Sequence, residues 1–134
     1  PWVGPSSILL ALMASGLEGQ RFAFHGYAPI KPDERARQIK LWESISSQQQ
    51  QTQLMIETPY RNLAMFDTLI KTLKSHTLLC IASDLTGTNE FIRTLNVQQW
   101  AKQPVPVTND QPALFLFQSA LNANAANAKP TKKM

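Results

Sequence analysis

The chain has 134 residues, 43% of them hydrophobic and 16% charged, with a formal net charge of +4. That length suits one domain, and the apolar fraction supports a folded core rather than wholesale disorder. No apolar run approaches the roughly 18 residues of a membrane span, and nothing after Pro1 resembles a signal peptide.

The basic balance is concentrated at one end. Residues 120–134 hold Lys129, Lys132 and Lys133 and no acid, which leaves ten basic and nine acidic side chains in residues 1–119. A broad nucleic-acid-binding surface is therefore not written into the folded part, and a short lysine tail is ordinarily solvated. The lone cysteine, Cys80, lies in the apolar run Leu78-Leu79-Cys80-Ile81-Ala82, where a thiol acts as a small buried hydrophobe; one unpaired cysteine fits a reducing, cytoplasmic setting. The absence of an initiator Met points to a chain that begins inside a longer protein.

Ile8 to Ser15 is apolar on every face, which predicts a short buried helix, capped by Ser6 or Ser7 and stopped by Gly16. Phe22 to Tyr27 reads as a strand. Asp33 is a suitable N-cap for a helix to about Ser47, with Ile39, Trp42 and Ile45 as its apolar stripe. The basic residues Lys31, Arg35, Arg37 and Lys40, interleaved with Asp33 and Glu34, read as a solvated face. Gln48 to Gln51 reads as a loop and Leu54 to Ile56 as a second strand. Thr58 and Pro59 start the next helix, Thr as N-cap and Pro at the first helical position, with Leu63, Phe66, Ile70 and Leu73 as its buried face.

Leu78 to Ala82 is apolar throughout and predicts a central strand. Phe91 to Leu95 follows as a strand, Val97 to Gln103 as a short helix, a loop bracketed by Pro104, Pro106 and Pro112, and a buried strand over Leu114 to Phe117. Beyond Ser119 the Ala/Asn/Lys tail lacks the apolar content to fold. The alternation predicts an α/β fold: a mixed sheet of about four to five strands with helices packed on it. The expected domain plan is a hinge over residues 1–7, a folded domain over 8–119 and a disordered tail over 120–134. Trp2, Trp42 and Trp100 are expected at a domain or subunit interface.

In open α/β sheets, ligands bind beyond the carboxyl ends of the strands. That rule selects Glu57-Thr58-Pro59-Tyr60-Arg61-Asn62 and Ser83-Asp84-Leu85-Thr86-Gly87-Thr88, together with Gly4-Pro5-Ser6-Ser7 before the first helix. No G-x-G-x-x-G, P-loop, metal-ligand spacing or Cys/His or Ser/His pairing with supporting context is present. The five glycines are scattered, so no glycine loop can bring backbone close to a nucleotide-like cofactor. These residues make up half a site. Glu57 has two readings on the residues alone: a proton acceptor or cofactor contact, and a salt bridge to Arg61 four residues on.

The segments Val3-Gly4-Pro5-Ser6-Ser7, Phe24-His25-Gly26-Tyr27-Ala28-Pro29 with Lys31, Ile56-Glu57-Thr58-Pro59-Tyr60-Arg61 and Ala82-Ser83-Asp84-Leu85-Thr86 resemble, in colinear order, the tetrapyrrole methylase superfamily. They are most similar to its branch of small-subunit ribosomal RNA ribose 2′-O-methyltransferases, where the corresponding runs read P-G-P-S-A, F-x-G-F-L-P-x-K, Y-E-S-P-H-R and A-R-E-L-T-K. Tyr60 stands where that branch has His, Ser83 where it has Arg, Asp84 for Glu and Gly87 for Lys.

The resemblance implies a C-terminal domain, a preceding N-terminal domain with the glycine-rich loop, S-adenosyl-L-methionine in the cleft between them, and a homodimer. It implies cofactor contacts at Ser6, Ser7, Ile56, Glu57, Asp84, Leu85 and Thr86, a catalytic role for Glu57, and substrate contacts at Tyr60, Arg61 and Lys31. No metal is implied, and the partner is ribosomal RNA or the small ribosomal subunit. Two other functions stay open on the residues: methylation of a corrin or porphyrin precursor, and a degenerate domain that binds a ligand or partner without catalysis.

Overall fold

The computed structural model describes residues 11–17, 21–84 and 90–119. The expected hinge (1–7), with Ser6 and Ser7, lies outside the described residues, as do Trp2, Leu85, Thr86 and the tail. Five strands form one sheet: β1 (Phe22–Tyr27), β2 (Thr52–Glu57), β3 (Leu78–Ser83), β4 (Phe91–Asn96) and β5 (Ala113–Gln118). Their order is β1-β2-β5-β3-β4. β1 and β2 run parallel and the other neighbours are antiparallel, so the sheet is mixed, as expected.

The last strand in sequence takes the centre. Leu114, Phe115, Leu116 and Phe117 are apolar on both faces and none is more than 1% exposed, a pattern that requires cover on each side. β3, expected to be central, lies beside β5.

One face carries α2 (Pro32–Gln49), α3 (Asn62–Thr72) and α4 (Val97–Ala101), and its core joins Ile39, Trp42, Met65, Leu69 and Trp100 to Met55, Ile81, Phe115 and Phe117 of the sheet. On the other face, helical residues 11–15 (α1) place Ala11 and Leu12 over Leu54, Cys80, Leu114 and Leu116. Burial pushes the Cys80 thiol up from its ordinary range, consistent with a packing role. Met13 is 72% exposed, so α1 is not buried all round as its composition suggested. Gly16, at φ 75°, follows its last turn. Among the described residues, no helix is long and apolar enough to cross a membrane.

Several sequence expectations need correction. Lys31, not Asp33, is the N-cap of α2; Pro32 occupies the first turn, and Asp33 and Glu34 sit beside the free N–H groups, where carboxylates are favoured. The helix also runs on through Gln48 and Gln49, and Gln50 ends it in a left-handed conformation. Its buried side includes Arg35, Glu43 and Ser46 as well as Ile39 and Trp42, so the basic stretch is not simply a solvated face. Trp42 and Trp100 are core residues of this domain rather than interface residues: Trp42 stacks on His25 with ring centroids 4.1 Å apart, and Trp100 donates to Leu79 O at 2.7 Å.

β1 carries one extra residue between Phe24, opposite Leu54, and Tyr27, opposite Ile56, and Gly26 within this irregularity adopts φ 73°. A Cβ at Gly26 would meet nothing within 4 Å. Gly26→Ala is therefore expected to destabilise through backbone strain alone, by about 1–2 kcal/mol, read as a lower urea midpoint with an unchanged m-value. An unchanged midpoint would show that the bulge does not depend on glycine.

Candidate functional site

Strand direction brings the selected segments together. β3 is antiparallel to β5, which is antiparallel to β2, so the carboxyl ends of β1, β2 and β3 share one sheet edge. Glu57 at the end of β2 and Ser83 at the end of β3 pair with Ala113 from opposite sides. Asp84, in a left-handed conformation at φ 49°, donates its backbone N–H to Pro112 O at 3.4 Å. Ile56, Glu57, Tyr60, Arg61 and Asp84 thus gather at one edge, and Lys31 lies beyond the carboxyl end of β1 on that edge, exposed at the head of α2.

Glu57 is 3% exposed. Its Oε1 accepts from Arg61 Nε at 3.0 Å and from the Thr58 backbone N–H at 2.9 Å. The salt bridge is real, and it engages one carboxylate oxygen; among the described residues no donor reaches Oε2, which is buried. A buried anionic oxygen without a donor is costly, because the full desolvation penalty of that atom stands.

The turn after Glu57 departs from the expected helix start. Pro59–Arg61 is a 3-10 turn and α3 begins at Asn62; Thr58 precedes the turn but makes no side-chain cap. The buried residues of α3 are Asn62, Met65, Phe66 and Leu69; of the expected stripe, Phe66 and Leu73 are buried and Ile70 packs against the core, whereas Leu63 is 42% exposed.

Tyr60 is 66% exposed. The Arg61 guanidinium lies 4.8 Å from the centre of its ring, and Arg61 Nη1 donates to Tyr60 Oη at 3.0 Å. The hydrogen bond to Glu57 raises Arg61 above its ordinary value, so the guanidinium stays charged. Glu57 fixes Arg61, Arg61 fixes Tyr60, and a flat ring is presented to solvent at the edge of the site.

Asn62 closes the strand-end segment that the sequence selects, but no role is assigned to it there. It is wholly buried, and its Nδ2 donates to Thr108 O at 3.0 Å and Gln111 O at 2.6 Å, while Leu63 N–H donates to Asn109 Oδ1 at 3.1 Å. The loop ahead of β5 is thereby tied to the start of α3 and becomes part of the same edge. Asn62 Oδ1, like Glu57 Oε2, is buried with no donor among the described residues. No periodicity marks this asparagine, since a polar residue in a first helical turn reads as exposed. Among the described residues no cluster of His, Cys, Asp or Glu could hold a metal ion.

No known protein-family model matches the chain. Curated relatives do: a ribosomal RNA small subunit methyltransferase I from Buchnera aphidicola is 30% identical over 109 residues, covering 77% of this chain and 35% of its own length. Proteins of the same name from Mesorhizobium japonicum and Vibrio cholerae are 31% and 32% identical, covering 70% and 69% of this chain and 31% of each relative. The chain spans about a third of the length of these relatives. Among solved structures, the methyltransferase CobJ superposes with a TM-score of 0.53 at 13% identity, over 84% of this chain and 47% of CobJ, which identifies the fold.

Proposed function

We propose, on the premise that this chain is a tetrapyrrole methylase-type C-terminal domain, that it forms one wall of the cleft of an S-adenosyl-L-methionine-dependent methyltransferase acting on ribose 2′-hydroxyls of small-subunit ribosomal RNA. The observation that carries this reading is the half-engaged carboxylate of Glu57: Oε1 is pinned and Oε2 is buried with no donor among the described residues, at the shared carboxyl edge of three strands.

The residues fit the cofactor's chemistry. S-adenosyl-L-methionine has no phosphate to cradle; it offers an ammonium group, an exocyclic amine, ribose hydroxyls and a sulfonium cation. An edge that supplies a carboxylate oxygen and an amide oxygen with no donor among the described residues suits such a ligand. Ile56, Glu57 and Asp84, with Ser6, Ser7, Leu85 and Thr86, would hold it, and the bound cofactor supplies the methyl group. Tyr60, backed by Arg61, offers an exposed ring on which a base can stack, as single-stranded RNA recognition requires, and Lys31 offers a phosphate contact. Glu57 Oε2 accepts the proton of the attacking hydroxyl.

The opposite wall, with the glycine-rich loop, belongs to an N-terminal domain of the same protein. A homodimer is supported by β1, which among the described residues pairs on one side only and exposes Phe22 at 39% and Phe24 at 44%. Ribosomal RNA as substrate places the protein in the cytoplasm.

The test is transfer of a tritiated methyl group from S-adenosyl-L-methionine to small ribosomal subunits by the full-length protein, with the label recovered in a 2′-O-methylated nucleotide. Unlabelled RNA alongside good cofactor affinity would reject the RNA substrate and return attention to a macrocyclic acceptor or a binding role. Residues 1–134 alone are expected to bind the cofactor with a Kd of about a millimolar or weaker; micromolar affinity by calorimetry would overturn the half-site.

A further inference from the structure

Arg35 belongs to the stretch whose charges suggest a solvated face, yet it is only 4% exposed. Its Nε donates to Pro29 O at 3.1 Å, Nη2 to Ile30 O at 2.8 Å and Nη1 to Thr68 Oγ1 at 3.3 Å, and its backbone N–H donates to Lys31 O at 2.8 Å. One residue therefore binds the carbonyls of three consecutive residues, 29, 30 and 31, in the turn from β1 into α2. Through Thr68, which itself donates to Ala64 O, the same guanidinium fastens that turn to α3.

Removing a guanidinium from water is expensive, and these acceptors are neutral oxygens rather than a carboxylate. A chain reversal between a strand and a helix does not need a buried cation. What this cation secures is the shape of the turn, which leaves the shared carboxyl edge and carries Ile30, 63% exposed, and Lys31, also exposed. A flexible lysine on a flexible turn would lose entropy on gripping a phosphate; a fixed turn has lost that freedom beforehand.

We propose that Arg35 is a positioning residue for substrate. It holds the turn at residues 28–31 as a second wall of the site, so that Lys31 meets a phosphate of the RNA strand flanking the nucleotide held at Tyr60. The proposal rests on the reading of RNA as substrate.

The experiment uses the full-length protein with small-subunit RNA as methyl acceptor, comparing Arg35→Met, Arg35→Lys, Lys31→Ala and Arg35→Met with Lys31→Ala. Arg35→Met is expected to raise the KM for RNA about tenfold, the size of one lost phosphate contact, with kcat and cofactor Kd unchanged. Lys31→Ala gives the same shift, and the double variant is no worse than Lys31→Ala alone, because the arginine acts through the lysine. Arg35→Lys, which keeps the charge but offers a single donor nitrogen, recovers part of the loss. Hydrogen exchange accelerates at residues 28–31 in Arg35→Met while β3 and β5 stay protected.

An unchanged KM, or additive losses in the double variant, overturns the positioning role. If Arg35→Met does not fold, Arg35→Lys and its pairing with Lys31→Ala decide by the same non-additivity. If the unaltered protein transfers no methyl group to RNA, the RNA reading fails and takes this inference with it; the exchange result then still shows whether the clamp exists.

Discussion

Replacing Asn62 with Asp is expected to destabilise the domain by about 4 kcal/mol or more, and replacing it with Ala by about 2–3 kcal/mol. The amide orientation is set by its neighbours: Thr108 O and Gln111 O are both acceptors, so the nitrogen must face them. Alanine deletes two hydrogen bonds from a wholly buried site. Aspartate keeps the shape but removes both donors and sets an anion against two carbonyl oxygens, which is worse than a void. Acidification should narrow the deficit of Asn62→Asp, since the protonated carboxyl of that variant can donate once; the variant then loses stability as pH rises through the folded-state value of that group. Urea unfolding followed by tryptophan fluorescence measures both variants. An Asn62→Asp protein within about 1 kcal/mol of the original would show that the loop ahead of β5 is not held through this side chain.

What the sequence made legible was whatever a local pattern can encode. The apolar runs at Leu78–Ala82 and Leu114–Phe117 identified inner strands, because continuous hydrophobicity over five residues or so has few other uses. Strand-end placement of Glu57 and Asp84 followed from those runs and the carboxyl-end rule. Helix ends were less legible. The glutamine run at 48–51 read as a loop for want of apolar residues, yet α2 persists to Gln49, and buried Ser46 accepts from Ser119 N–H, a contact 73 residues away in sequence. The face of α3 was largely legible from its spacing: Phe66 and Leu73 are buried and Ile70 packs against the core, and of the four expected residues only Leu63, next to the 3-10 turn at Pro59–Arg61, faces outward.

The roles of Arg35 and Asn62 were invisible for a common cause. Each is a polar side chain that binds the carbonyls of a loop, and which carbonyls a loop turns inward is decided by tertiary structure. Trp42 and Trp100 failed in the opposite direction. Large aromatics suggest interfaces, but here the shared face of α2, α3 and α4 was deep enough to take them, with Trp100 edge-on to Phe66 at 6.1 Å.

The assignment of Glu57 separates from every purely structural account of it in one substitution. In Glu57→Gln the side-chain oxygen can keep the place of Oε1, accepting from Thr58 N–H and Arg61 Nε, so the turn and the stacked Tyr60 should survive. The amide nitrogen then takes the place of Oε2 and turns an acceptor into a donor. If Oε2 takes the proton of the ribose hydroxyl as the new oxygen–carbon bond forms and the sulfonium carbon–sulfur bond breaks, kcat for methyl transfer falls by about 10²–10⁴, while the melting temperature changes by a few degrees at most. If Oε2 only accepts from the bound cofactor, cofactor affinity falls instead and kcat at saturation is kept. Single-turnover methylation with small ribosomal subunits, read beside cofactor titration, distinguishes the two. A variant within about threefold of the original in both measurements would reduce Glu57 to the salt bridge with Arg61, and the buried oxygen to a feature of packing.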